Sequence, residues 1–250
     1  MFHWIARALA RYLTKSVMTA TVSTSSWEAL LATIQPGDVL LVEGDTRISA
    51  AIKYLTQSTW SHAALYLGDA AGLGSSNSGE PNTLVEADLE DGIRGIPLSF
   101  YRHCHTRICR PVGLRPEALE TLSLYARERL GHQYDLKNIL DLARYLCPTP
   151  PVPVRYRRRM LALGSGDPTR AICSSFIAQG FQAIRYPILP EVIAMPSDDP
   201  RCRECERELY RIRHHSLFVP RDFDASPYFE VIKPTIAQGF DYRTLEWLRA

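Results

Sequence analysis

Trp60-Ser61-His62-Ala63-Ala64-Leu65-Tyr66-Leu67-Gly68-Asp69 runs from a polar loop through a histidine into an apolar stretch closed by a Gly-Asp turn. Ala63–Leu67 reads as a short buried strand, and Gly68-Asp69 as its stop. His62 therefore sits where a loop enters a strand, a position from which its ring can face a cleft at the end of a sheet. The alternative is a capping or surface histidine.

Upstream, Pro36-Gly37-Asp38 is a turn and Val39-Leu40-Leu41-Val42 a short buried strand. Asp45-Thr46 can cap a helix that places Ile48, Ala51, Ile52 and Leu55 on one face. Downstream, the Gly/Ser/Asn-rich loop Gly72–Asn82 leads into a strand at Thr83–Ala87. Asp91-Gly92 marks a tight turn, and Thr106–Arg110 is a further strand. A helix follows from Pro116 to Leu130, stopped by Gly131. Asp135 can cap another, with Leu136, Ile139, Leu140 and Ala143 on one face, ended by Pro148, Pro150, Pro151 and Pro153. A later helix begins near Cys173 and carries Phe176, Ile177 and Phe181. Residues 187–234 read as an irregular wrap with a late strand at Tyr228–Ile232. Strands early and helices later imply an α+β fold.

The 250 residues are 46% hydrophobic and 22% charged, which excludes intrinsic disorder and a disulfide-stapled mini-protein. Twenty-nine Lys+Arg against 27 Asp+Glu leave a net charge of +2, too small for a general nucleic-acid binder. No run approaches the ~18 uninterrupted apolar residues of a membrane-spanning helix. Six sparse cysteines favour a reducing compartment, hence a cytoplasmic location. Arg7, Arg11 and Lys15 break the N-terminal apolar stretch, so it does not read as a signal peptide. With His3 they form one helical stripe opposite Phe2, Ile5, Leu9, Tyr12 and Leu13. Residues 1–18 thus fit either a peripheral contact with the inner face of a membrane or a helix packed on its own domain. Residues 1–26 are read as this helix plus a linker, and residues 27–250 as the main domain.

A cysteine is an effective nucleophile only as thiolate, a state favoured by a helix N-terminus and a nearby imidazolium. Cys173 follows the loop Gly164-Ser165-Gly166-Asp167-Pro168-Thr169 and opens a helix, whose first amides could also hold an oxyanion. It equally continues the apolar stripe of Phe176 and Ile177, as a core thiol would. Glu86 is a charged residue in the apolar strand Leu84-Val85-Glu86-Ala87. Either it lies on the solvent face or it is buried and needs a partner such as an imidazole from the neighbouring strand.

The ordered set Gly37-Asp38-Val39-Leu40, Ser61–Gly68, Val85-Glu86-Ala87 and Asp91-Gly92-Ile93 resembles the permuted NlpC/P60 papain-like enzymes, within them the YiiX/YaeF-like group. Gly131-His132-Gln133-Tyr134-Asp135 and Ile172-Cys173-Ser174-Ser175-Phe176 match that group's late segments. Leu217–Phe223 followed by Ser226-Pro227 is similar to its C-terminal stretch. The resemblance covers about Gln35 to Lys233. It implies a circularly permuted papain-like fold, an antiparallel sheet packed against helices. It further implies that Cys173 attacks an acyl carbon, that His62 serves as base and then acid, and that Glu86 orients His62. Tyr134, which is also readable as a core aromatic, matches a family tyrosine that lines the site, and Ser61 and Ser174 flank the reacting pair as oxyanion or substrate contacts. Ser175 departs from the family, whose members often carry a carboxylate there.

Residues 201–215 look like a charged insertion. Cys202, Cys205 and His214 or His215, with His103, Cys104, His105 or Cys109, could supply zinc ligands. The spacing fits no familiar zinc module, so surface thiols are preferred and no metal or other cofactor is expected. The expected activity is cysteine-dependent hydrolysis or acyl transfer on an amide or ester. The amphipathic N-terminus and Arg155–Arg159 point to a lipid or membrane-proximal substrate. The alternatives are a peptidase or amidase on cell-wall-type peptides, and a non-catalytic module that binds lipid or peptide on the same fold.

Overall fold

The computed structural model describes residues 25–88, 91–133, 172–196 and 206–246, together with Lys15 and Ser23. The N-terminal amphipathic segment apart from Lys15, together with Tyr134, the proposed helix after Asp135, Arg155–Arg159, Cys202 and Cys205, lies outside the described residues.

Ser26 caps the first described helix, α1 (Trp27–Thr33), by accepting from the Ala29 N–H at 3.1 Å. β1 (Val39–Glu43) follows the Pro36-Gly37 turn, and Thr46 caps α2 (Arg47–Thr56), its hydroxyl accepting from the Ser49 N–H at 3.2 Å. β2 (His62–Tyr66) and β3 (Leu84–Asp88) begin within a residue of their expected positions. β4 (Gly92–Ile96), β5 (His105–Pro111), α3 (Pro116–Glu128) and α4 (Ile172–Ala183) come next. β6 (Glu191–Pro196), β7 (Glu206–Arg211), α5 (Arg221–Ala225), β8 (Phe229–Ile232) and α6 (Pro234–Ala237) complete the described elements.

Six strands form one antiparallel sheet in the order β4-β3-β2-β1-β5-β8. β1 is its central strand, and alternation along it sends Val39 and Leu41 to one core and Leu40 and Val42 to another. Both faces are covered, which is why Val39–Val42 is apolar without a break. The first core adds Val85, Phe176, Ile177, Phe181 and Phe223, so α4 packs over β2 and β3. The second adds Leu30 and Ile34 from α1 and its end, with Leu98 and Tyr101.

Two features differ from the sequence expectation. β4, read only as the region beyond a turn, pairs with β3 along its length. Its sequence Gly92-Ile93-Arg94-Gly95-Ile96 lacks alternation, and ladder hydrogen bonds to β3 override that weak local preference. Gly92 has φ +74°, and a Cβ there would collide with the His132 carbonyl, which accepts from the Ile93 N–H at 3.0 Å. Residues 187–234 are not an irregular wrap, because β6 and β7 pair from Glu191↔Arg211 to Pro196↔Glu206 as a separate two-stranded sheet. Val192, Leu209 and Tyr210 are exposed on it, so no buried face imposed an alternation that could be read. The late strand expected at Tyr228–Ile232 is β8, which returns to the sheet beside β5.

Candidate active site

His62 opens β2, and Glu86 lies at the middle of neighbouring β3, each held in place by the antiparallel register Leu65↔Val85. The His62 ring meets the carboxylate through Nε2 and Oε2 at 2.8 Å. Glu86 is 1% exposed, so the expected solvent-face alternative does not hold for it. Its other oxygen is held by Arg94, directly across the hairpin in register, through Nε at 2.9 Å and Nη2 at 2.8 Å. The Tyr101 hydroxyl also donates to Oε2. A buried carboxylate with this many donors stays ionised. Burial pushes Glu86 up, but His62, Arg94 and Tyr101 outweigh it and bring its pKa down to about 2.

Cys173 is the second residue of α4, 4% exposed, and it comes to the same place from the opposite side of the sheet's end. The His62 ring, the Ala63 N–H and the Ser174 hydroxyl, which lies 3.9 Å from the sulfur, all act on its thiol. Because Nε2 faces Glu86, Nδ1 is the nitrogen left for the sulfur. Burial pushes the thiol up, and the imidazolium together with these neighbours brings it below the ordinary thiol value. Burial likewise pushes His62 down, yet the flanking Cys173 and Glu86 charges raise it well above the usual histidine range. Both shifts act toward a thiolate–imidazolium pair backed by a fixed carboxylate. Cys173 and Ser174 stand at the start of α4 as described, where backbone N–H groups can serve a developing oxyanion.

Sulfur, imidazole and carboxylate thus come together, from three elements far apart in sequence. Ser174 is fully buried, with its hydroxyl toward the sulfur. Ser61 differs from its expected role as a substrate contact. It is 2% exposed, and its hydroxyl accepts from the Gly44 N–H at 2.9 Å and donates to the Val42 carbonyl at 3.5 Å, which fastens the entry to β2. Arg94 and Tyr101 were not singled out in the sequence. Arg94 faces Glu86 because the hairpin turns between Asp88 and Gly92, with Gly92 already in β4, a register that the expected turn at Asp91-Gly92 does not give. Tyr101 arrives on a 3-10 turn (Leu98–Tyr101) that no periodicity announces.

Among the described residues no group of three His, Cys, Asp or Glu side chains is arranged to hold a metal. Cys109 is fully buried within β5, and burial raises its thiol. His214 accepts from the Ser216 N–H at 3.3 Å and shares a 2.8 Å hydrogen bond with that residue's hydroxyl. No described helix is long and apolar enough to cross a membrane.

The profile of the family described as permuted papain-like amidase enzyme, YaeF/YiiX, C92 family, matches residues 33–149. A crystal structure of the metalloprotein yiiX from Escherichia coli O157:H7 is similar at 16% identity and a TM-score of 0.44, covering 80% of this chain and 96% of that one. No curated protein matches the chain.

Proposed function

From the similarity of residues 33–149 to the permuted papain-like amidase family YaeF/YiiX, we propose that this chain is a cysteine hydrolase that cleaves an amide or ester acyl bond through an acyl-cysteine on Cys173. The single observation that carries this reading is the 2.8 Å hydrogen bond between His62 and Glu86 with the Cys173 thiol acting on the same imidazole.

In this reading the Cys173 thiolate attacks the acyl carbon. The carbonyl oxygen gains negative charge beside the first-turn amides of α4. The His62 imidazolium gives its proton to the departing amine or alkoxide as the C–N or C–O bond breaks. Neutral His62 then takes a proton from water, whose oxygen attacks the thioester, and the acid product leaves with thiolate and imidazolium restored. An acceptor other than water in this second step would give acyl transfer. Glu86 keeps the imidazole in one orientation and tautomer throughout and favours its protonated form. Mass spectrometry after incubation with a panel of acyl amides and esters tests this. An acyl adduct on Cys173 is expected, and its absence with every acyl donor, alongside unchanged substrate, would overturn the reading.

The substrate is further proposed to be lipid or membrane-proximal. The support is in sequence: the cationic stripe of Arg7, Arg11 and Lys15 opposite an apolar face, and the run Arg155–Arg159. Vesicles with anionic headgroups should sediment the full chain and not a chain starting near Ser23. Equal partitioning would remove the membrane part and leave the hydrolase reading standing.

A further inference from the structure

Five residues, Gln57-Ser58-Thr59-Trp60-Ser61, connect the end of α2 to His62. The loop begins with Gln57 in the left-handed region at φ 51° and ends with Ser61 tied to Gly44 and Val42. Both of its ends are also held by one short C-terminal element, α5, more than 160 positions later in the chain. At the start, the Arg221 guanidinium donates to the Thr56 carbonyl at 2.6 Å, taking up one of the carbonyls that α2 leaves free at its C-terminus. At the finish, the Trp60 indole N–H donates to Asp224 Oδ2 at 3.2 Å.

Asp224 is itself fixed. Arg107 on β5 donates to both of its oxygens, at 2.8 and 3.0 Å, and the same guanidinium lies 4.9 Å from the centre of the Trp60 ring. His105, two residues away on the same face of β5, packs on that ring at 5.1 Å. Trp60 is 3% exposed, so the indole has a single arrangement that satisfies its N–H and fills its space. Phe223, between the two polar residues on α5, is buried in the core with Phe181 and Phe229 and anchors the helix.

We propose that α5 is a clamp on the loop that carries His62, with Asp224 and Arg221 as positioning residues that set where the imidazole meets Cys173. The proposal rests on the thiol-hydrolase reading above and extends the working apparatus to a segment outside the family match at residues 33–149. A ring that must stay within hydrogen-bond reach of both a thiol and a carboxylate tolerates little drift, and a free five-residue loop does not supply that precision. Without the clamp, the imidazolium lies farther from the sulfur on average and the thiolate loses its main support.

The test uses full-length wild type, Asp224→Ala, Asp224→Asn and Arg221→Gln. For each, iodoacetamide alkylation of Cys173 is followed by mass spectrometry from about pH 5 to about pH 10, beside the thermal midpoint. Asp224→Ala should lose about tenfold in rate near pH 6 and remain within about twofold near pH 10, where any thiol is ionised. Asp224→Asn, which keeps an acceptor for the indole N–H, should lose less. Arg221→Gln should shift the profile in the same direction. If Asp224→Ala does not fold, the Asn and Arg221 variants give the answer. Variants with a lowered midpoint but the wild-type pH profile would show a purely structural role and overturn the clamp alone. A wild type without acid-shifted reactivity would overturn the hydrolase reading as well.

Discussion

Glu86 and Arg94 face each other in register across the β3–β4 hairpin, and the guanidinium holds one carboxylate oxygen through Nε at 2.9 Å and Nη2 at 2.8 Å while His62 occupies the other at 2.8 Å. The carboxylate is thus fixed from behind before it touches the imidazole. Arg94→Met should leave Glu86 buried with one oxygen unpaired, which costs about 3–5 kcal/mol. Chemical denaturation at pH 7 measures this. A loss well under about 1 kcal/mol would show that the pair does not hold the hairpin.

Replacing Glu86 by Gln keeps the shape and removes the charge. The imidazolium then loses its fixed partner and the ring can settle in the wrong tautomer. Turnover should fall about a hundredfold to ten-thousandfold while substrate binding changes little. Steady-state kinetics with a split of kcat from KM checks this, and unchanged kcat would remove Glu86 from the mechanism.

Tyr101 donates its hydroxyl to the oxygen that also meets His62. Tyr101→Phe removes one donor from a buried anion, so stability at neutral pH should drop by about 1.5–3 kcal/mol. The aromatic contact with His62, at 6.0 Å between ring centres, is retained, so the ring should stay placed. A denaturation curve gives the first effect. A kcat within about tenfold of wild type would agree with the second.

The pH dependence follows from the directions of the shifts. Glu86 has a folded pKa of about 2, below the ordinary carboxylate value, so its stabilising contribution is complete above about pH 4.3 and is lost as pH falls toward about 2. His62 is shifted upward, so its contribution is complete below about pH 6.5 and is lost as pH rises through its folded value. The two act on opposite limbs. Reactivity of Cys173 should rise at a pH below that of a free thiol, since its own shift is downward. Circular dichroism across acid pH and a pH–alkylation profile test both. A Cys173 profile centred at or above about 8.5 would contradict the ion-pair arrangement.

The chain disclosed much of this before any coordinates. Val39–Val42 announced a strand buried on both faces, and His62, Glu86 and Cys173 stood out because each placed a reactive group at an element's end or inside an apolar run. Arg94 escaped because its strand is short and interrupted by Gly92 and Gly95, so local preference gave no strand from which to count the register. The β6–β7 hairpin escaped for a related reason. With residues such as Val192 and Tyr210 in solvent, no core face selected a pattern. Ser61 looked like a site contact because of its neighbour, whereas burial turned its hydroxyl toward Gly44 and Val42. Adjacency in sequence fixes where a residue is and leaves open which way it points.

The central claim is that Cys173 carries the acyl group, and the most direct measurement is the mass of the protein after brief exposure to an activated acyl amide or ester, read for wild type and Cys173→Ala. The account predicts an adduct of acyl mass on the peptide containing Cys173 in wild type, and neither adduct nor turnover in a folded Cys173→Ala. Turnover retained in that variant, or an adduct located on another residue, would contradict it.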